Sequence, residues 1–252
     1  MEGPLSTGAA TLAGLIREAR SVVALTGAGI SVPSGIPDFR TPGSGLWANV
    51  DPMAVAHIDA WRADPARFWH FYGHRFATLE DKEPNGAHRA LVELERRGHL
   101  DAVITQNIDV LHRKAGTRDL VEVHGSIETS SCLACGASYP LRETRARLVA
   151  DPIGVPQCDC GAPLKPDVVL FGEWLPAGAL ERAHQLAAGA DLLLCVGSSL
   201  EVHPIAQLPG TTRANGGQLA IVTRGPTSWD DRAAVRLDGD VVAELDAVLA
   251  LL

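Results

Sequence analysis

Short apolar runs, rich in β-branched residues, recur along the chain and are separated by longer segments with helical spacing. The runs comprise residues 22–25, 102–105, 120–123, 192–196, 219–222 and 235–237. Runs that are apolar on both faces and alternate with helices are typical of a parallel sheet covered by helices on both sides. The pattern therefore predicts an α/β protein, and ligands of such sheets bind at the carboxyl ends of the strands.

Two segments interrupt the alternation of strands and helices. Residues 42–84 are rich in Phe and Trp, which predicts an inserted helical module, and residues 126–165 hold four of the five cysteines. We expect this second segment to form a zinc-binding module. The remaining segments, 1–41, 85–125 and 166–252, are expected to form one discontinuous domain.

One helix of the predicted helical module has an unusual buried face. Asp64 is a suitable N-cap for it, and Pro65 suits the first helical position. The residues that follow on one face are Phe68, Phe71, Tyr72, Arg75, Phe76 and Leu79. Such a stripe faces the core, and a cation within it requires a partner for its charge. Arg75 is therefore a candidate for binding an acidic group.

The overall charge limits the classes of partner. The chain has 252 residues and a net charge of -8, which argues against direct binding to nucleic acid and is compatible with basic protein substrates. No apolar run approaches the length of a membrane span, and no basic region followed by an apolar run opens the chain. We expect a cytoplasmic protein that does not bind membranes; the sequence leaves the oligomeric state open, and a monomer is compatible with it.

The four clustered cysteines form two close pairs. They are Cys132, Cys135, Cys158 and Cys160, in the pattern C-x2-C followed by C-x-C. Two such pairs are typical of a tetrahedral zinc site, and with no fifth ligand nearby the site is expected to be closed and structural. The alternative is four unlinked thiols. Cys195 lies in an apolar run and is expected to be a core residue.

A glycine-rich stretch, "TGAGISVPSGIPDFR", follows the first apolar run. Its spacing is G-x-G-x5-G rather than the G-x-G-x-x-G of ordinary dinucleotide-binding proteins. Glycines at such a turn allow backbone N–H groups to approach a phosphate. The alternative is a tight turn without a ligand, in which Ile36 and Phe39 are core residues and Asp38 and Arg40 form a surface pair.

Polar residues follow two further apolar runs. Gln106, Asn107 and Asp109 lie in "TQNID", and His124 lies in "VEVHGS". Side chains at these positions can bind ribose hydroxyls or an amide, and a histidine there can act as a general base near neutral pH. The alternatives are that Asn107 caps the next helix and that His124 is structural.

In this order, the motifs resemble those of the sirtuin family, the NAD-dependent protein lysine deacylases. The matching segments cover nearly the whole chain and comprise "GAGIS", "SGIPDFR", "TQNID", "HG", the paired cysteines, "KPDVVLFGE" and "GSSL". The resemblance implies a Rossmann-like parallel sheet with an inserted helical module and a small zinc-ribbon domain. This agrees with the two interruptions described above.

The resemblance implies an extended NAD-binding set. It comprises Gly27, Ala28, Gly29, Ile30, Asp38, Phe39, Arg40, Gln106, Asn107, Ile108, Asp109, Gly197, Ser198, Ser199, Thr223 and Val241. The glycine-rich loop would cradle the phosphates, and residues 38–40 would cover the nicotinamide ribose. Residues 106–109 would contact the ribose and the nicotinamide amide, and residues 197–199 the adenosine. Thr223 departs from the family, which usually has Asn there.

Catalytic and substrate-binding roles follow from the same resemblance. His124 would be the general base, with Asn107 and Asp109 as the other catalytic residues. An acyl-lysine peptide would pair as an added strand with a segment that contains Val168, Val169, Phe171, Gly172 and Glu173. Acylated lysine side chains of proteins would then be the substrates, and one structural zinc ion and NAD the bound groups.

The implied reaction consumes NAD. Nicotinamide leaves the ribose, and the acyl oxygen of the substrate attacks the ribose carbon. His124 then deprotonates a ribose hydroxyl, which attacks the resulting imidate, and water completes the transfer of the acyl group to ADP-ribose. Two alternatives remain open. One is a protein ADP-ribosyltransferase or NAD hydrolase on the same fold, and the other is a zinc-ribbon binding module without catalysis.

Tyr72 and Arg75 resemble the Tyr-x-x-Arg motif of the sirtuin subgroup that removes succinyl and malonyl groups. Ala56 would be the small residue that widens the acyl pocket. The resemblance implies activity on acetyl groups together with succinyl or malonyl groups. The alternative is an internal salt bridge between Arg75 and an acidic residue of the protein.

Overall fold

The computed structural model describes residues 7–38, residue 45 and residues 50–252. Nine strands lie in this part of the chain: β1 (Val22–Thr26), β2 (Ala102–Thr105), β3 (Leu120–Glu122), β4 (Gly125–Cys132), β5 (Ser138–Pro140), β6 (Leu164–Val168), β7 (Leu192–Val196), β8 (Gln218–Val222) and β9 (Val235–Leu237). Six of them form a parallel sheet in the order β3-β2-β1-β7-β8-β9, and three form an antiparallel sheet in the order β5-β4-β6.

The described residues contain ten α-helices: α1 (Thr7–Glu18), α2 (Pro52–Ala56), α3 (Ile58–Ala63), α4 (Pro65–Leu79), α5 (Gly86–Arg96), α6 (Leu111–Ala115), α7 (Leu141–Ala150), α8 (Ala177–Gly189), α9 (Leu208–Ala214) and α10 (Val241–Leu249). A 3-10 helix, Ala28–Ser34, follows β1 directly. No helix in this part of the chain is long and apolar enough to cross a membrane.

Alternating residues of the parallel strands face two separate cores. Val22 and Ala24 of β1 pack in a cluster with α1, α5 and α10, whereas Val23 and Leu25 pack in a second cluster with α8 and α9. This two-residue period is the geometry of a pleated strand. Because both faces are covered, the central strands β1, β2, β7 and β8 are almost entirely apolar. The predicted α/β fold with a doubly covered parallel sheet is confirmed.

The described part of the predicted helical module contains α2, α3 and α4. Asp64 caps α4, since its side chain accepts the backbone N–H of Arg67 at 3.1 Å, and Pro65 begins the helix. The aromatic face of α4 packs with α2, α3 and residues of β4 and β6 in a third cluster. The helices therefore pack against the small sheet. The division of the chain into three units at the residues given above stays a prediction.

Candidate active site

The loops at the carboxyl ends of β1, β2 and β7 meet at one edge of the parallel sheet. Backbone N–H groups of Gly27 and Gly29 donate to the carbonyls of Val196 and Gly197, at 3.1 and 2.8 Å. A Cβ added to Gly29 would lie 2.8 Å from the Gly197 oxygen, and one added to Gly197 only 2.1 Å from the Ile30 nitrogen. These glycines are thus required for the contact between two protein loops.

This contact changes the explanation of the glycine-rich motif. The N–H groups of Gly27, Gly29 and Ile30 all donate to protein carbonyls. Among the described residues, no backbone carbonyl accepts the N–H of Ala28. The Ile30 side chain lies in the core. Close packing of the loops therefore accounts for the spacing of the first two glycines, whatever the loop binds.

Asn107, Asp109 and Ser31 form one buried hydrogen-bonded group. The Asn107 Nδ2 donates to the Gly27 carbonyl and to Ser31 Oγ, both at 3.1 Å, and Ser31 Oγ donates to Asp109 Oδ2 at 2.6 Å. The backbone N–H of Leu111 donates to the other carboxylate oxygen, at 3.0 Å. Burial raises the pKa of Asp109, and the Ser31 hydrogen bond opposes the rise. The 106–109 turn and the glycine-rich loop are therefore held in one fixed arrangement.

His124 is presented in a defined tautomer. It lies just beyond β3, and its Nδ1 is 2.9 Å from the Gln106 carbonyl. A carbonyl oxygen only accepts, so Nδ1 carries the hydrogen and Nε2 keeps its lone pair in the neutral ring. Burial lowers the pKa of His124, which favours the neutral ring. The hydrogen bond at Nδ1 thus fixes the ring and leaves Nε2 as the proton acceptor.

Two of the predicted NAD-binding side chains, Gln106 and Ser198, form a hydrogen bond with each other. Gln106 Nε2 donates to Ser198 Oγ at 3.0 Å, and Ser198 Oγ also accepts the Leu200 N–H. This pair links the β2 and β7 loops across the end of β1. Ser199 is half-buried in the same loop, and a ligand that binds Gln106 or Ser198 must share or replace this bond.

The other predicted NAD-binding residues are distributed around this edge. Ile108 is half-buried, and its carbonyl accepts the Ile127 N–H at 3.2 Å. Thr223 follows β8, and Val241 begins α10 as a core residue. Asp38 is half-buried. Phe39 and Arg40 lie outside the described residues.

The predicted substrate segment continues from β6 and is firmly anchored. The Val169 N–H donates to the His124 carbonyl at 2.8 Å, which joins this segment to the candidate base. Phe171 exchanges backbone hydrogen bonds with Ala56 and Ile58, at 2.8 and 2.9 Å. Gly172 has a φ of 82°, and a Cβ there would lie 2.6 Å from a His57 ring atom. Phe171 is thus already bridged to the helical module.

An ion pair joins Lys165, a buried residue that precedes the same segment, to Glu173, a half-buried residue at its end. The Nζ of Lys165 lies 2.9 Å from Glu173 Oε2 and donates to the Val168 carbonyl at 2.8 Å. Glu173 Oε2 also accepts the Leu170 N–H at 2.8 Å. One Glu173 oxygen therefore serves the segment's own backbone and the Lys165 cation. This arrangement indicates that Glu173 shapes the segment.

Tyr72 and Arg75 lie about one turn apart on α4. Tyr72 is buried and stacks on Phe76 with ring centroids 5.7 Å apart, in the cluster that contains Val168. Arg75 is half-buried, donates to the Phe71 carbonyl of its own helix, and lies 4.3 Å from the Phe71 ring centroid. Within the described residues Arg75 forms no salt bridge, so the alternative of an internal ion pair finds no acidic partner there.

The four predicted metal ligands converge at the end of the small sheet. All four sulfur atoms lie within 4.8 Å of one another, with Cys132–Cys160 and Cys135–Cys158 distances of 3.5 Å. Zn–S bonds of about 2.3 Å in a tetrahedron place sulfurs about 3.8 Å apart. The donor set therefore fits one zinc ion, and the unlinked-thiol alternative is wrong.

The turns around the cysteines repeat one pattern. The N–H of Gly136 donates to the Cys132 carbonyl at 2.9 Å, and the N–H of Gly161 donates to the Cys158 carbonyl at 2.8 Å. Both glycines have positive φ, 78° and 85°, which a residue with a Cβ rarely adopts. A backbone N–H of Cys160 and the Tyr139 hydroxyl lower the pKa of Cys158 to about 6, which favours the thiolate that metals bind.

Sequence reasoning missed Ser31 and Lys165. Ser31 lies within the glycine-rich motif, and the structure shows that its side chain is buried. A hydroxyl within the motif is the only feature of the sequence that could have indicated its role. Lys165 precedes Pro166 in a segment without strand periodicity, and it is one of three lysines in the chain. The ion pair between Lys165 and Glu173 could have been suspected from one pattern. A lysine begins the predicted binding segment, and a glutamate follows eight residues later.

Comparisons with known proteins agree on the family. The Sir2 family model matches residues 27–204. The chain is 43% identical over 244 residues to NAD-dependent protein deacetylase 1 of Geobacillus kaustophilus, covering 95% of this chain and 98% of that protein. It is 46% identical over 216 residues to an NAD-dependent protein deacylase of Thermus thermophilus, with 84% and 82% covered. A solved complex of Sir2 with a p53 peptide and NAD+ superimposes with a TM-score of 0.88 at 40% identity, covering 95% and 96% of the two chains.

Proposed function

The chain belongs to the Sir2 family, and from that premise we propose that it is an NAD-dependent protein lysine deacylase. It would transfer acyl groups from lysine side chains of proteins to the ADP-ribose part of NAD, with release of nicotinamide. The observation that carries the proposal is the position of His124: its Nδ1 donates to the Gln106 carbonyl, and its backbone carbonyl accepts the N–H of Val169 in the predicted substrate segment.

His124 supports the proton transfer that this reaction requires. Its Nδ1 hydrogen is held by the Gln106 carbonyl, so Nε2 can accept a proton from a ribose hydroxyl as that oxygen attacks the acyl carbon. The hydrogen bond from Val169 to the His124 carbonyl fixes the predicted substrate segment of the protein relative to His124. An acyl-lysine peptide paired with this segment would therefore be held close to the base. No hydride is moved, and NAD is consumed as a substrate.

Asn107 and Asp109 support binding of the nicotinamide ribose rather than proton transfer. The Asn107 amide N–H groups point to Gly27 and Ser31, which leaves its carbonyl oxygen as the acceptor for a ribose hydroxyl or an amide. Ser31 and Leu111 orient the Asp109 carboxyl. We propose that this preformed group binds the nicotinamide end of NAD, and that Ala28 and residues 197–199 bind the remainder.

The direct test is a panel of acyl-lysine peptides with NAD and the purified protein, with all products identified by mass spectrometry. A deacylase gives nicotinamide, O-acyl-ADP-ribose and free lysine peptide in equal amounts. A protein ADP-ribosyltransferase gives a modified protein, and an NAD hydrolase gives ADP-ribose without peptide deacylation. A binding module without catalysis consumes no NAD. Each of these last three results contradicts the proposal.

The acyl specificity is a finer proposal that rests on α4. We propose that Arg75 binds the distal carboxylate of succinyl or malonyl groups, with Tyr72 beside it. Arg75 is half-buried and its described contacts are a carbonyl and an aromatic face, so a carboxylate would supply the missing counter-charge. Ala56 packs in the same cluster, and its small side chain supports a wider pocket.

Replacing Arg75 with alanine is expected to lower kcat/KM for desuccinylation by about 10–100-fold, because charge-assisted hydrogen bonds contribute about 1.5–3 kcal/mol. Deacetylation should stay within about threefold of the wild type, since an acetyl group has no charge. Parallel rates on acetyl and succinyl forms of one peptide measure this. Arg67→Ala, an exposed position on the same helix, is the matched control, and unchanged desuccinylation by the Arg75 variant would refute the assignment.

The five cysteines support two further proposals, a structural zinc site and a cytoplasmic location. Cys132, Cys135, Cys158 and Cys160 would hold one zinc ion, which supplies folding energy to the small sheet and no chemistry to the reaction. We propose a cytoplasmic enzyme, because metal-bound thiolates and the free Cys195 are typical of a reducing compartment.

A further inference from the structure

Two buried histidines lie behind the candidate active site and have no part in the proposed chemistry. His88 on α5 and His112 on α6 are 0% and 2% exposed, and their ring centroids are 4.8 Å apart. Among the described residues, nothing bonds to His88 Nε2 or His112 Nδ1. Buried polar atoms of folded proteins nearly always have partners, so two such atoms on adjoining rings are unusual.

The surrounding contacts assign the ring hydrogens. The backbone N–H of Asn85 donates to His88 Nδ1 at 3.4 Å, so Nε2 carries the hydrogen in the neutral ring. Thr26 Oγ1 donates to Thr105 Oγ1 at 2.8 Å, and His112 Nε2 lies 3.0 Å from the same Thr26 oxygen. Because the Thr26 hydrogen is used, His112 Nε2 must donate, and its Nδ1 keeps a lone pair. Burial lowers the pKa of His88 to about 4 and that of His112 to about 3, which is consistent with two neutral rings.

Each histidine is linked to one of the two loops of the candidate site. From His112 the chain of hydrogen bonds runs through Thr26 and Thr105 to the backbone N–H of Asn107, which donates to Thr105 Oγ1 at 3.1 Å. On the other side, Asn85 joins His88 in a capping box. The Asn85 side chain donates to the Ile30 carbonyl at 2.8 Å and to Ser34 Oγ at 2.9 Å.

We propose that His112 is a positioning residue, whose Nε2 hydrogen bond to Thr26 sets the 105–107 turn and thereby the orientation of Asn107 toward NAD. His88 packs edge-on against the His112 ring and holds it in place. The inference rests on the proposed function, because the group that is positioned is the one assigned to the nicotinamide ribose. It assigns His112 a role that acts through Thr26 and Thr105, without contact with NAD.

The two nitrogens of His112 can be tested separately with amides. His112→Gln places an amide N–H near the position of Nε2 and can keep the bond to Thr26, whereas His112→Asn reaches only the position of Nδ1. We expect the Asn variant to lower kcat/KM for NAD about tenfold, the effect of one lost hydrogen bond. The Gln variant should stay within about threefold of the wild type, and KM for the acyl peptide should stay unchanged in both.

A double-mutant cycle with Thr26→Val tests the pathway. The Thr26 variant removes the hydroxyl that joins His112 to Thr105, so we expect the same tenfold loss, and no further loss when it is combined with His112→Asn. Additive losses would place the two residues on separate pathways and overturn the inference. Equal activity of the Asn and Gln variants would overturn it as well, because a merely structural histidine does not distinguish the two amides by KM for NAD.

Titration of NAD into each variant by calorimetry separates this inference from the proposed function. If the wild-type protein binds NAD and fails to deacylate, the proposed function is wrong, and the ratio of Kd values between the Asn and Gln variants still tests the positioning role. A tenfold weaker Kd for the Asn variant alone supports it. Equal Kd values for the wild type and both variants would refute it.

Discussion

Replacing His124 with alanine is expected to lower kcat for deacylation by about 10²–10⁴-fold, the usual contribution of a positioned general base. The ring makes one described hydrogen bond, from Nδ1 to the Gln106 carbonyl, so its removal should cost little stability. The measurement is the rate of O-acyl-ADP-ribose formation at saturating NAD and peptide. Binding of NAD should be retained, because the predicted NAD contacts come from other side chains.

Two further measurements distinguish a base from a structural histidine. His184→Ala, a half-buried position on α8, is the matched control and should keep wild-type rates. If His124 were structural, its alanine variant would lose melting temperature and NAD binding together with activity. A His124 variant with wild-type kcat would end the assignment.

The pH dependence gives an independent check on the same group. Burial lowers the folded-state pKa of His124 below its ordinary value of 6.5. The neutral, base-competent form therefore persists as pH falls through 6.5, and activity is lost only as pH falls through the lower folded-state value. We expect the midpoint of the acid limb of kcat to lie below pH 6.5, and a midpoint above it would contradict the burial argument.

The parallel sheet was predictable because its strands are buried on both faces. Residues 102–105, 192–196 and 235–237 were predicted with the bounds that the structure has, and the other three strands differ by one residue at an end. The runs in β1, β2, β7 and β8 are almost entirely apolar, so the pattern marks their limits, whereas the edge strands β3 and β9 contain Glu122 and Arg236. The small sheet gave no such signal, since β4 is mostly polar, with a register shift between Gly125 and Ser130, and β6 contains Lys165 and Pro166.

The candidate site was predictable as a set of residues and not as a set of contacts. Strand ends of a parallel sheet meet at one edge, so Asn107 and His124 could be placed there from the sequence. That Ser31 joins Asn107 to Asp109, or that Gly29 makes room for Gly197, depends on contacts between segments many residues apart. Such contacts leave no local pattern, and the hydrogen bonds of Ser31, Lys165 and His112 therefore became visible only in three dimensions.

The zinc site is expected to determine the stability of the small sheet. We expect Cys160→Ser to abolish binding of one zinc ion per chain and to lower the melting temperature by about 10–20 °C. Cys160 is exposed, so the substitution itself removes little packing, and the loss comes from the metal. Structural zinc contributes about 10–16 kcal/mol in small modules. Losing even about 5 kcal/mol at roughly 2–4 °C per kcal/mol gives the stated shift.

Metal content and local exchange identify the part of the chain that responds. Zinc is measured on the purified proteins, and hydrogen exchange should show loss of protection in residues 125–168 before the parallel sheet opens, because the four sulfurs join β4 to the turn that precedes β6. Cys195→Ala is the matched control, since Cys195 is a thiol buried in β7 away from the cluster. It should keep one zinc ion per chain. A Cys160 variant that also keeps its zinc and its melting temperature would show that this sheet is held by its apolar contacts, among them Tyr139 and Leu164, and that the metal is dispensable for the fold.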